Sequence, residues 1–113
     1  MKVVVSGTGL RPMHVLSIMK EEMPEVEFVG WYDPEPTYFD RLGPGAPRFH
    51  SVEEMLAATR PDLFFVGSPN VFHLDQIRLG LEAGVRIFTE KPVVVSVEET
   101  FALADLLARH GTD

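Results

Sequence analysis

Apolar positions in this chain follow two rhythms that alternate from one end to the other. Lys2–Ser6 (KVVVS) places valines at consecutive positions, the pattern of a strand covered on both faces within a parallel sheet. Between Pro12 and Met23 the side chains of Met13, Leu16, Met19 and Met23 recur at helical spacing. A helix is predicted there, with Pro12 in its first turn. A second strand is predicted over Val26–Tyr32 (VEFVGWY), ending at Asp33 and Pro34. A short helix or irregular segment is expected over Pro36–Leu42, then a turn at residues 43–45 and a brief edge strand at Arg48–His50.

The same alternation continues. Ser51 followed by Glu54 forms a capping box, in which the hydroxyl accepts from the Glu54 amide and Glu54 reaches back. The helix it opens is expected to run to about Thr59. Asp62–Gly67 (DLFFVG) is a buried strand, Val71–Ala83 a helix stopped by Gly84, and Arg86–Thr89 (RIFT) a further strand. A second capping box, Ser96 with Glu99, opens a last helix that ends near His110 and Gly111. Strands alternating with helices at this spacing specify an α/β fold, a parallel sheet joined by right-handed crossovers. No repeat or linker interrupts it, so residues 1–113 are expected to form one domain.

Composition narrows the partners. Of 113 residues, 45% are hydrophobic and 24% charged, and ten Lys+Arg against seventeen Asp+Glu give a net charge of −7. An acidic chain without a Lys/Arg run argues against nucleic acid or an anionic membrane as partner, since both reward clustered cations. The absence of cysteine excludes disulfides and thiolate metal sites. No stretch reaches the length of a membrane span, and Val3–Val5 is too short for a signal-peptide core. A cytoplasmic location is the expectation. His14, His50 and His110 stand at no ligand spacing, and Asp33, Glu35 and Asp40 read as solvated, so no metal site is predicted.

The first turn carries the first chemical signal. Gly7-Thr8-Gly9-Leu10-Arg11 lies between a strand and a helix, the context in which a glycine pair cradles a pyrophosphate. Gly7 turns the backbone, Gly9 removes a side chain from the ligand's path, and the helix start offers free N–H groups and its positive end. Asp33, at the end of the second strand, stands where a carboxylate accepts from adenosine-ribose hydroxyls. Arg11 is read either as a phosphate contact or as a solvated side chain. Pro12 occupies the position of the third glycine; it removes one donor and is expected to widen the helix–strand contact. A 2′-phosphate would repel Asp33, and no cation follows until Arg41, so NAD is favoured, with NADP as the alternative.

The second half is more specific. Gly67-Ser68-Pro69-Asn70 leaves the C-terminal end of one strand with His73 close behind, and Glu90-Lys91-Pro92 leaves the next. Ser68 does not fit a nucleophile elbow. With Glu-Ala-Gly at 82–84, the glycine loop and Asp33, these motifs resemble the glucose–fructose oxidoreductase/inositol dehydrogenase/rhizopine-catabolism family (Gfo/Idh/MocA) along essentially the whole chain. The resemblance implies a Rossmann-type doubly wound sheet in strand order 3-2-1-4-5 and an NAD(P)-dependent oxidoreductase acting on a sugar, cyclitol or related polyol. It implies a cofactor pocket formed by Gly7, Thr8, Gly9, Leu10, Arg11, Asp33, Ser68, Pro69, Asn70, His73, Glu90 and Lys91. Lys91 is the implied catalytic residue, its ammonium stabilising a developing alkoxide or relaying its proton. Glu90 would hold that lysine or contact the nicotinamide ribose, and Pro92 would fix the turn. His73 is read evenly as pocket support or as a simple hydrogen bond to the preceding loop.

Family members carry a sixth strand and a second, substrate-binding domain. This chain is expected to be the dinucleotide-binding part alone, with little turnover of its own. Its Phe101 and Leu107 face is then expected to be exposed or to mediate self-association. Two other classes remain: a non-catalytic dinucleotide sensor, and a scaffold domain that keeps the fold without the ligand.

Overall fold

The computed structural model describes residues 1–35, 46–89 and 96–111, with the side chains of Leu10, Arg11 and Asn70 outside that description. The expectations for 36–45, among them the Pro36–Leu42 segment and Arg41, and those for Glu90, Lys91 and Pro92 lie outside the described residues.

Five strands, β1 (Lys2–Ser6), β2 (Glu27–Tyr32), β3 (Arg48–Phe49), β4 (Leu63–Val66) and β5 (Arg86–Thr89), form one sheet in the order β3-β2-β1-β4-β5. Every pairing is parallel. Four α-helices join or follow them: α1 (Leu10–Glu22), α2 (Val52–Thr59), α3 (His73–Glu82) and α4 (Val97–Arg109). The predicted class and strand order are those observed.

The consecutive valines of β1 explain its central place. Val4 packs with Val52, Met55, Leu56, Phe64 and Val66 on the sheet face covered by α2. Val5 packs with Met13, Leu16, Trp31 and Phe65 on the opposite face, under α1. A strand alternates its side chains between faces, so a run of apolar residues belongs only where helices cover both. Val3, Val4, Val5, Phe64 and Phe65 are all fully buried.

The serine half of both capping boxes forms as read: the Ser51 hydroxyl accepts from the Glu54 amide at 3.0 Å, and the Ser96 hydroxyl from the Glu99 amide at 3.0 Å. Two helix starts differ from the sequence reading. α1 begins at Leu10, capped by Gly9, so Pro12 sits third in the helix; its missing N–H still falls among the first-turn groups that have no partner within a helix. The segment read as one helix from Val71 instead opens as a 3₁₀ turn at Asn70–Phe72, and α3 begins at His73. The Phe72 amide bonds the Pro69 carbonyl at 3.0 Å, closing a tighter turn before the α-helical ladder starts.

The register decides where ligands can be met. Ser6, Tyr32 and Val66 are paired neighbours at the C-terminal ends of β1, β2 and β4. The chain reverses its direction of travel across the sheet at β1, and in such sheets the loops leaving that point diverge and open a crevice. The face named for self-association divides: Phe101 is exposed and Leu107 partly buried, lining a groove with Leu103, Ile87 and Phe88. No helix among the described residues is long and apolar enough to cross a membrane.

Candidate functional site

The loop after β1 is pressed against the loop after β4. Gly7 has φ of +95°, and a Cβ there would lie 2.5 Å from the Gly67 carbonyl carbon and 2.7 Å from the Ser68 nitrogen. Those neighbours are backbone and cannot move aside, so position 7 accepts glycine on both grounds. The Gly7 amide bonds the Tyr32 carbonyl at 2.8 Å, and the Gly67 amide bonds the Ser6 carbonyl at 2.7 Å. Three strand ends are thereby tied at one rim.

Pro12, the departure from the glycine pattern, has its own complement. A Cβ on Gly67 would stand 2.6 Å from the Pro12 Cβ. The ring therefore occupies space left empty by the glycine that follows β4. The bulk expected to push helix and strand apart is absorbed at Gly67.

At the opposite side of the rim stands Asp33. Its Oδ2 accepts from the Thr8 amide at 2.7 Å and from the Thr8 hydroxyl at 2.8 Å. Its Oδ1 accepts from the Glu35 amide at 2.9 Å, a local turn of the kind short acidic side chains favour. Its carbonyl accepts from Arg48 Nη2 at 2.9 Å, and that guanidinium also lies 5.5 Å from the centre of the Trp31 ring. Sequence reading sought a cation directly after Asp33 and missed Arg48. Only the pairing of Trp31 with Arg48 between β2 and β3 brings it there.

Beneath the β4–α3 loop runs a polar network. Gln76 Oε1 accepts from the Ser6 hydroxyl at 2.8 Å and from the Ser68 hydroxyl at 2.7 Å. His73, 1% exposed, donates from Nε2 to the Ser68 carbonyl at 2.7 Å, because a carbonyl can only accept. Of its two readings, the bond to the preceding loop is the contact observed. Gln76 and Ser6 were not singled out from the sequence. A signal was present: Gln76 shares the buried face of α3 with Ile77 and Gly80, where an amide needs partners.

A cavity of about 600 Å³ opens between these parts, lined by Gly7, Gly9, Asp33, Ser68, Pro69 and Gln76 among others. Thr8 adjoins it through Asp33. Among the described residues a Cβ on Gly9 would meet nothing nearer than Pro12 Cδ at 4.0 Å, so none of them crowds the N-terminus of α1 there. The first α-helical bond there runs from the Met13 amide to the Gly9 carbonyl, and the amides before Met13 have no acceptor within the helix. An open backbone turn, a helix N-terminus and a fixed carboxylate in one crevice suit a phosphate-bridged dinucleotide. β5 ends at Thr89, paired with Val66 on the same edge. Among the described residues no group of three or more His, Asp or Glu could hold a metal ion.

Fold and crevice together define a Rossmann-type domain with a crevice suited to a dinucleotide. Residues 1–112 match the Gfo/Idh/MocA family, described as an oxidoreductase family with an NAD-binding Rossmann fold, and the chain belongs to that family. D-glucoside 3-dehydrogenase of Escherichia coli K12 is 36% identical over 59 residues, covering 52% of this chain and 17% of that protein. Inositol 2-dehydrogenase of Corynebacterium glutamicum is 33% identical over 63 residues, covering 56% of this chain and 19% of its own length. The structure of scyllo-inositol dehydrogenase from Lactobacillus casei with bound NAD(H) and scyllo-inositol superposes with a TM-score of 0.82 at 24% identity, over 98% of this chain and 34% of that one. The chain thus spans about a third of that solved relative.

Proposed function

We propose that this chain holds the cofactor of an oxidoreductase that moves hydride between a nicotinamide dinucleotide and a sugar, cyclitol or related polyol, with NAD preferred to NADP. The observation that carries the reading is the Asp33 carboxylate, fixed by Thr8 and the Glu35 amide beside the open backbone at Gly9. When bound, the nicotinamide supplies the hydride acceptor or donor.

The chain's own residues do the rest. Gly7 and Gly9 admit the pyrophosphate, and the α1 amides near Leu10 and Arg11 oppose its charge. Asp33 accepts from the adenosine ribose. Ser68 and Pro69 form the facing wall, held from below by His73 and Gln76, and Asn70 is proposed as a cofactor contact from its place in the motif. Lys91 is the proposed catalytic residue, stabilising a substrate alkoxide or relaying its proton, with Glu90 beside it. That assignment rests on the Glu-Lys-Pro motif. The polyol class is supported by relatives named for glucoside and inositol dehydrogenation, and these 113 residues by themselves are proposed to turn over little substrate.

Arg48 favours a second reading for cofactor choice, since its guanidinium beside Asp33 could meet a 2′-phosphate. Calorimetric titration of the chain with NADH and, separately, NADPH decides both points. Binding of NADH, and weaker binding of NADPH, is expected. Silence with NADH at about millimolar concentration would overturn the dinucleotide reading, and tighter NADPH binding would reverse the preference.

A further inference from the structure

The residue between the two loop glycines spends its donors in an unusual direction. In a phosphate cradle the amides of the turn are free for the ligand. Here the Thr8 amide and hydroxyl both converge on one oxygen of Asp33, at 2.7 and 2.8 Å, and Thr8 is fully buried. A carboxylate has about four acceptor positions, two on each oxygen. Thr8 fills both on Oδ2, and the Glu35 amide takes one on Oδ1 at 2.9 Å. Among the described residues one place remains, on Oδ1.

We infer that Thr8 is a positioning residue that sets cofactor selectivity, by locking the Asp33 carboxylate so that its remaining acceptor place can meet a ribose hydroxyl and cannot turn away from a phosphate. This rests on the dinucleotide reading above. A hydroxyl brings a proton to the vacant place. A 2′-phosphate dianion brings none and sets like charge against an anion that two donors hold still. The adjoining Gly7 amide already ties the loop to β2 through the Tyr32 carbonyl, and the Thr8 amide would keep one bond to Asp33 in any variant. Removing the hydroxyl therefore loosens the hold on Oδ2 from two donors to one while the loop stays in place.

The test compares wild type with Thr8→Val, which keeps the shape, Thr8→Ala, which removes any crowding from the added methyl, and Thr8→Ser, which restores the hydroxyl. Dissociation constants for NADH and NADPH are measured for each, with circular dichroism to confirm folding. Losing one hydrogen bond to a charged group is expected to weaken NADH binding about fivefold in Thr8→Val and Thr8→Ala, with NADPH changed by less than about twofold. Thr8→Ser is expected to rescue the wild-type ratio. A purely structural role would weaken both cofactors alike and leave the ratio in place, and that outcome overturns the proposal. So does an unchanged ratio in folded Thr8→Val or Thr8→Ala while wild type still binds NADH. Failure of wild type to bind either cofactor would instead remove the dinucleotide reading and this inference with it.

Discussion

Gln76 shows how much one side chain can hold at this rim. Its single carbonyl oxygen accepts from Ser6 at the end of β1 and from Ser68 after β4, so it joins two strands that carry opposite walls of the cavity. Replacing it by leucine would leave two hydroxyls without their acceptor, one of them on the fully buried Ser6. Gln76→Leu is expected to cost about 1–3 kcal/mol of stability, read as a lower urea midpoint. An unchanged midpoint would show that the network contributes nothing. The places of the glycine turn and of Asp33 were legible in the sequence because they follow from local spacing. Arg48 and Gln76 were not, since their partners lie 15 and up to 70 residues away and only the pairing of strands brings them near.

Among the elements, α1 meets the turn after β4 at Pro12, which stands where the dinucleotide fingerprint has its third glycine. Pro12 fills the space that Gly67 leaves, so the two positions form a matched pair. Gly67→Ala would drive a methyl against the proline ring and is expected to destabilise by about 1–3 kcal/mol. Combining it with Pro12→Gly removes the opposing ring, and the pair should cost less than the sum of the two single changes. Additive costs in urea unfolding would mean that the two do not touch. Helix starts were read correctly where a serine cap announces them, at α2 and α4. They were misplaced at α1 and α3, where neither N-cap residue makes a side-chain cap bond. A backbone cap leaves little trace in residue type.

For the whole molecule, the crevice sits at the switch point of the sheet, its walls on loops and helix starts that follow strands of that one sheet. Filling it should stabilise the entire fold by mass action. NADH at about a hundred times its dissociation constant contributes roughly 2.7 kcal/mol, which for a domain of this size raises the unfolding midpoint on the order of 10–20 °C. Thermal unfolding with and without NADH checks this, and a flat midpoint under saturating conditions would place the binding elsewhere or nowhere.

The sequence by itself determined the parallel α/β sheet, its strand order through family resemblance, and the positions of the glycine turn and the acid. Apart from the strand order, those features follow from periodicity, turn chemistry and spacing, all short-range. Tertiary structure alone decided that Thr8 clamps Asp33, that Arg48 stands beside that acid, and that Gly67 makes room for Pro12. Each of these depends on which strand lies next to which, and proximity across a sheet is created by the packing of both its faces rather than by any residue's neighbours in the chain.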